Sequence, residues 1–311
     1  MTTSIWFWIA FHIGIFIALG IDLITFKRRD RELSMRAAAQ RTVLWVLVSL
    51  AFNGLVWRLK GPHHGVDFFT AYLIEYSLSV DNIFVFVLIF AHFRVPPLAQ
   101  HRVLVWGVLG ALIMRGVMIV CGIALVQRFH FVLYLFGLFL VLTALRMLFR
   151  RHPPRELSEN WAIRVCRRIF PITQEFYNQH FKVRLDNRWM LTPLALTMIV
   201  IELTDLLFAV DSIPAVFAIT QDPFIAYTSN ICAVLGLRSL YFLVARLMDR
   251  FIYLRTGLAL VLGFVGIKMI IADYLPLPRG LSLGIIVLIL AVTIAISVIA
   301  TRNDAGAVDR K

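Results

Sequence analysis

Cysteine is scarce in this chain. There are three in 311 residues, at Cys121, Cys166 and Cys232, with no Cys-x-x-Cys spacing. Thiols scattered in this way supply neither a disulfide framework nor a thiolate metal site. Charge is sparse as well. Asp, Glu, Lys and Arg make up 16% of the chain, against roughly 25% in soluble domains. Only one long polar stretch exists, about 150–188, and it is too short and too basic for a catalytic domain. Histidine barely enters the apolar runs, His12 being the main exception, and neither Met nor Cys stands beside the acids embedded in them. Zinc and copper sites are disfavoured on that ground.

What the chain has instead is apolar length. It is 60% hydrophobic, its mean hydropathy is +0.83, and many runs approach the ~20 residues a helix needs to cross a bilayer. Nine spans are predicted: Trp6–Phe26, Thr42–Trp57, Asp67–Phe93, His101–Gln127, Phe129–Phe149, Met190–Ile219, Ser229–Met248, Leu254–Tyr274 and Leu281–Ala300. The expected fold class is all-α, a polytopic transmembrane helical bundle embedded in lipid. The formal net charge of +13 would suit nucleic acid, but its placement does not. The loops at 27–41, 94–102, 150–188 and 246–255, with the tail from 302, carry 23 of the 31 Lys and Arg, while the alternate loops hold only Arg58, Lys60, Arg128 and Arg279. That asymmetry is the positive-inside pattern; it puts the N-terminus outside and the C-terminus in the cytoplasm. No nucleic-acid module is visible. The first span lacks a basic n-region and a small-residue cleavage site, so it is expected to be retained. Trp6, Trp8, Trp57 and Trp189 lie near span ends, as an interfacial belt requires.

The polar stretch divides the chain into five spans and four. Residues 1–66 hold spans one and two, 67–149 a first repeat (spans three to five), 150–189 a basic cytoplasmic connector, 190–274 a second repeat (spans six to eight), and 275–311 span nine and the tail. An amphipathic helix near Trp161–Phe170 is expected to lie on the membrane. Three anchor points carry the repeat. The Val-Asp motifs align first; then Val108-Leu-Gly110 leading to Arg115 echoes Val234-Leu-Gly236 leading to Arg238, and Arg146-Met147 echoes Lys268-Met269. An offset of three spans is odd, so the halves run oppositely through the bilayer, a transporter feature with sites near the midplane.

The motifs themselves are Glu75-Tyr-Ser-Leu-Ser-Val-Asp81-Asn82-Ile83 and Asp205-Leu-Leu-Phe-Ala-Val-Asp211-Ser212-Ile213. A carboxylate at the bilayer centre costs roughly 2.5–3.5 kcal/mol on insertion scales, so acids kept there are functional or tightly paired. On an ideal helix Glu75, Ser79 and Asn82 share a stripe and Glu202 shares a face with Asp205, while Asp81 and Asp211 are each turned about 120° from the preceding acid. Pro214 removes a backbone donor, so local unwinding that frees carbonyls near Asp211 is expected. Asp22, Glu75, Asp81, Glu202, Asp205 and Asp211 face only Arg115, Arg238 and Lys268 as intramembrane cations, and Lys268 lies toward the outer end. Three negative charges are left over, for protons or a bound cation to balance.

The donors are carboxylates, the Asn82 amide and the Ser212 and Thr204 hydroxyls, all hard oxygens suited to Mn, Mg or Ca. Arg115 and Arg238 act as counter-ions or gates, since a guanidinium cannot coordinate a cation. Asp22 is a structural or gating acid. Asn230 has two readings, a ligand or a cap of span seven through Ser229-Asn230. The plain alternative makes the acids helix–helix fasteners paired with the arginines. An intramembrane aspartyl protease finds no Gly-x-Gly-Asp motif beside Asp81 or Asp211.

Tyr72-Leu-Ile-Glu75-Tyr-Ser-Leu-Ser-Val-Asp81-Asn82 and Ile201-Glu202-Leu-Thr-Asp205-Leu-Leu-Phe-Ala-Val-Asp211-Ser212-Ile-Pro214 resemble the two signatures of the TerC family of integral membrane proteins, which includes the Alx proteins and lies near the LysE transporter superfamily. The resemblance continues through Asp222-Pro223-Phe224, Thr228-Ser229-Asn230 and Leu235-Gly236-Leu237-Arg238 and covers nearly the whole chain. It implies a non-enzymatic exporter of Mn²⁺ from the cytoplasm across a bacterial inner membrane, with a link to tellurite resistance. It also makes Glu75, Asp81, Glu202, Asp205 and Asp211 the ion-handling residues. Protons are the expected exchange partner and no organic cofactor is expected. Ca²⁺ transport and a membrane-protein assembly role are the rival expectations. Some members carry Lys directly after the first Glu; Tyr76 stands here, which removes one counter-ion.

Overall fold

The computed structural model describes residues 5–27, 35–129, 131–149, 171–173, 175–177, 180–185, 188–245, 253–272, 274–275 and 277–308. Ten helices and one hairpin make up these parts: α1 (Ile5–Lys27), α2 (Met35–Lys60), α3 (Pro62–His92), α4 (Pro97–Arg128), α5 (Phe131–Phe149), β1 (Lys182–Leu185), β2 (Arg188–Leu191), α6 (Pro193–Phe217), α7 (Pro223–Leu235), α8 (Leu237–Val244), α9 (Leu254–Ile271) and α10 (Arg279–Val308).

Four helices start on proline, whose fixed φ and missing N–H suit the first turn: Pro62, Pro97, Pro193 and Pro223. Gly61 precedes the first of these at φ +97°, a conformation strained for residues with a Cβ. Thr192 caps α6 through Ala195 N–H, and Asp222 caps α7 through the N–H groups of Phe224 (2.8 Å) and Ile225 (3.4 Å). Asp222 Oδ2 also accepts from Lys60 Nζ at 2.7 Å, tying the start of α7 to the end of α2. Arg279 on α10 pairs with Asp67 on α3 at 2.8 Å.

Six helices are long and apolar enough to cross a membrane, and the bent α7–α8 pair makes up to seven; Ile5–Ile21 and Thr256–Ile271 are shorter apolar helices. The multi-pass class stands on these. Nine full spans do not follow from helix length alone. Helix α3 is the centre. It packs against α2, α6 and α7, while α4 packs against α6 and α7, and α5 against α9. The α5–α9 crossing is antiparallel: Gly137 faces Gly266 and Ile270, and Ala144 faces Gly263. Large apolar side chains such as Ile113, Val117 and Val120 on α4 and Leu288 and Ile299 on α10 point outward, as a lipid-facing surface requires. Trp6, Trp57 and Trp189 are exposed too, in keeping with the belt reading.

Four expectations change. Span six does not unwind: α6 is helical through Pro214 and ends at Phe217. A proline can sit there because one missing donor leaves only the Val210 carbonyl without its usual partner, and the next turn closes through Ala218 N–H to Pro214 O at 3.1 Å. Span seven begins at Pro223 rather than Ser229, and it is the broken one, bent by 44° at Gly236. Asn230 therefore lies inside a helix and caps nothing; Asp222 is the cap. Last, span six starts at Pro193 rather than Met190, because β1 and β2 pair antiparallel just before it. Lys182 over the Trp189 ring and Arg102 over Phe181 hold this hairpin together and against α4. The helix expected near Trp161–Phe170 lies outside the described residues.

Candidate functional site

Helices α3, α4, α6 and α7 each send one polar side chain into the same buried space. Arg115 of α4 has no solvent exposure, and Glu75, Asp205 and Asn230 are buried around it. Its Nε and Nη2 donate to Asp205 Oδ2 and Oδ1, each at 3.1 Å, a fork-to-fork pair; its Nη1 donates to Glu75 Oε2 at 2.8 Å. Asn230 Nδ2 donates to the remaining oxygen, Glu75 Oε1, at 2.7 Å. All four oxygens of the two carboxylates are thus engaged. Charge-assisted bonds of this type are about twice as strong as neutral ones, and burial makes the loss of either partner costly. Two carboxylates share one guanidinium, so the ionised cluster keeps one excess negative charge.

Glu202 lies one turn before Asp205 on α6. Among the described residues no hydrogen bond or ion pair holds its carboxylate. It reaches over α4 at Gly110, where an added Cβ would stand 2.5 Å from Oε2 and 2.6 Å from Cδ; Gly107 is 3.8 Å away on the same measure. Small residues let helix backbones approach closely in a membrane; here they make room for an acid. A cavity of about 20 Å³ adjoins it, lined by Gly107, Ala111, Glu202, Asp205, Leu237 and Arg238 among others, room for about one water-sized particle.

Three buried oxygens nearby in sequence have no hydrogen-bond partner among the described residues: Asn230 Oδ1, Ser79 Oγ and Ser212 Oγ. Asn82 is buried two turns beyond Glu75. Thr204, by contrast, donates to the Val200 carbonyl at 2.7 Å, an ordinary helix contact. Arg238 is buried at the start of α8 and lines the cavity. Lys268 stands apart from the cluster, within electrostatic reach of Asp67 and Arg279, so it balances the α3 terminus. The backbones of Asp22, Asp81 and Asp211 are helical, and their side chains lie outside the described residues. No group of three or more His, Cys, Asp or Glu among the described residues stands ready to hold a metal ion. The physical reason is plain at Glu75 and Asp205, where the guanidinium sits between the carboxylates.

The glycine cradle under Glu202 is what sequence reasoning missed. Gly110 stood out only as a repeat anchor, although a glycine in an apolar helix is itself a sign of close approach. Helix α1 was also underrated. His12 Nε2 meets Tyr227 Oη at 3.1 Å, and a Cβ at Gly116, next to Arg115, would be 3.1 Å from the Tyr227 ring.

These features define a multi-pass helical membrane protein with an acid-rich, arginine-pinned cluster where its helices converge. The sequence profile described as "Integral membrane protein TerC family" matches residues 60–305, and the chain belongs to that family. A Myxococcus xanthus protein, "Uncharacterized membrane protein STKORF319", is 44% identical over 296 residues, 95% of this chain and 93% of its own length. A protein of Escherichia coli (strain K12), "Putative membrane-bound redox modulator Alx", is 42% identical over 299 residues, 93% of each chain. A membrane protein of Rickettsia bellii is 36% identical over 292 residues, 94% of this chain and 97% of its own. No solved structure matches.

Proposed function

We propose that this protein is a secondary transporter for divalent cations, with Mn²⁺ as the substrate, moved out of the cytoplasm in exchange for protons. The carrying observation is the charge imbalance of the buried cluster. Glu75 and Asp205 share one arginine, and Glu202, with no described partner, faces a particle-sized cavity that Arg238 also lines, so three acids stand against two arginines. Permanently unpaired acids are expensive in a bilayer, and where they persist they mark ion pathways. The oxygens of Asn230, Ser79 and Ser212, without hydrogen-bond partners among the described residues, add hard donors, which favour Mn²⁺, Mg²⁺ or Ca²⁺ over soft metals. The choice of Mn²⁺ and the direction rest on the TerC resemblance, as does placement in a bacterial inner membrane.

The packing of α3 on α7 and of α4 on α6 is what two interlocked, inverted halves require. That supports alternating access by one half rocking against the other, with N-terminus outside and C-terminus inside. Asp81 and Asp211, in equivalent motif positions, complete the ion path. In cells whose manganese tolerance depends on this protein, Asp81→Asn and Asp211→Asn are each expected to abolish tolerance and raise cellular Mn²⁺ without lowering the amount in the membrane. Unchanged tolerance in both single variants removes these two residues from the path.

A further inference from the structure

We infer that Arg115 is a tethered stand-in for the transported ion, holding Glu75 and Asp205 when the ion is absent and withdrawing to Glu202 when it binds. The inference rests on the cation-transport reading. Every oxygen of the two carboxylates already accepts an N–H, three from Arg115 and one from Asn230. Each oxygen keeps a second lone pair, but the guanidinium fills the position between Glu75 and Asp205, so a metal ion cannot bridge the two carboxylates until that group leaves. Two carboxylates in a dry bundle need positive charge between them, so arginine and ion are alternative occupants of one position.

A displaced guanidinium keeps its charge and needs an acceptor within reach. Glu202 meets that need: it is one helical turn from Asp205, it has no partner among the described residues, and the small cavity beside it is also lined by Asp205, Ala111 and Arg238. Ala111 lies one turn from Arg115 on the N-terminal side of α4, the direction in which helical side chains lean. Asn230 completes the exchange. Its Nδ2 donates to Glu75 while its Oδ1 is buried with no hydrogen-bond partner among the described residues, so rotating the amide turns a donor into a metal ligand. Arg115 is a positioning residue in this scheme.

The test is equilibrium Mn²⁺ binding to the purified full-length protein, read as free Mn²⁺ by electron paramagnetic resonance. The samples are wild type, Arg115→Gln, Glu202→Gln and the double variant. Removing the competitor is expected to tighten binding about tenfold or more, and removing its acceptor to weaken it by a similar factor. The double variant should bind like Arg115→Gln, because Glu202 acts only through the arginine. A merely structural arginine gives the opposite sign: Arg115→Gln then binds more weakly, or unchanged, and the inference fails. It also fails if Glu202→Gln weakens binding equally in both backgrounds, which would make Glu202 a direct ligand. Absence of binding in all four proteins overturns the cation-transport reading itself, whereas tight binding with the wrong order of variants overturns only this inference. If Arg115→Gln does not fold, infrared difference spectra of wild type carrying isotope-labelled arginine decide. Mn²⁺ should shift a guanidinium band, and an unshifted spectrum refutes the exchange.

Discussion

At the level of single residues, the cluster depends on one absent side chain as much as on the charged ones. Gly110 leaves the space that the Glu202 carboxylate fills, since an added Cβ would lie within 2.6 Å of three of its atoms. Gly110→Ala is therefore expected to push Glu202 out of its place, lower thermal stability by about 1–3 kcal/mol and remove transport. In the Gly110→Ala/Glu202→Ala double variant most of that stability should return while transport stays lost, which thermal melts of the two proteins would show. Equal melting temperatures for Gly110→Ala and wild type would mean the contact is not tight. The acids were readable from sequence because a carboxylate in an apolar run has a known energetic penalty. Arg115 was readable as a counter-ion for the same reason. That Arg115 binds Glu75 and Asp205 together was not. The two acids are 130 positions apart, and no local rule says which helix faces deliver them to one guanidinium.

Helices follow backbone rules that the sequence states openly at their starts and hides at their bends. Pro62, Pro97, Pro193 and Pro223 mark helix starts that the hydropathy windows placed several residues away in each case. At Pro214 the same residue type misled. A membrane helix tolerates a proline where neighbours support it, and α6 carries on through it. The real break falls at Gly236, where Ser49 Oγ lies 3.5 Å from the Cys232 carbonyl, a group the helix end leaves short of its next-turn donor. Gly137 and Gly266 fix the α5–α9 crossing: a Cβ on Gly266 would stand 2.7 Å from the Gly137 carbonyl oxygen and 2.9 Å from Leu140 Cβ. Gly266→Ala should cost about 1–3 kcal/mol by forcing the helices apart. Gly54→Ala, where nothing lies within 4 Å, should be neutral or gain up to about 1 kcal/mol of helix propensity. Thermal melts in one detergent compare them, and equal behaviour of the two would show that the crossing is loose.

Across the whole molecule, the arrangement concentrates polar chemistry where α3, α4, α6 and α7 meet and leaves apolar side chains outward. The membrane class was plain from composition, because 60% hydrophobic residues leave no other solvent for the surface. The contacts of α3 with α7 and of α4 with α6 could not be read from three short anchors, since tertiary packing is set by side-chain shape rather than by spacing. Among the described residues Cys121 and Cys232 are free thiols on different helices, and the bundle there is held by packing and by buried ion pairs such as Arg115 with Glu75 and Asp205. The central claim is that this buried charge moves a divalent cation. It is tested most directly by flux into proteoliposomes holding the purified protein. Mn²⁺, Ca²⁺ and Mg²⁺ are compared with an internal pH dye, beside an Asp81→Asn/Asp211→Asn double variant. Mn²⁺ movement with opposite proton flow in wild type, lost in the double variant, is the expected outcome. No flux of any of the three ions, under conditions where a control transporter works, would contradict it.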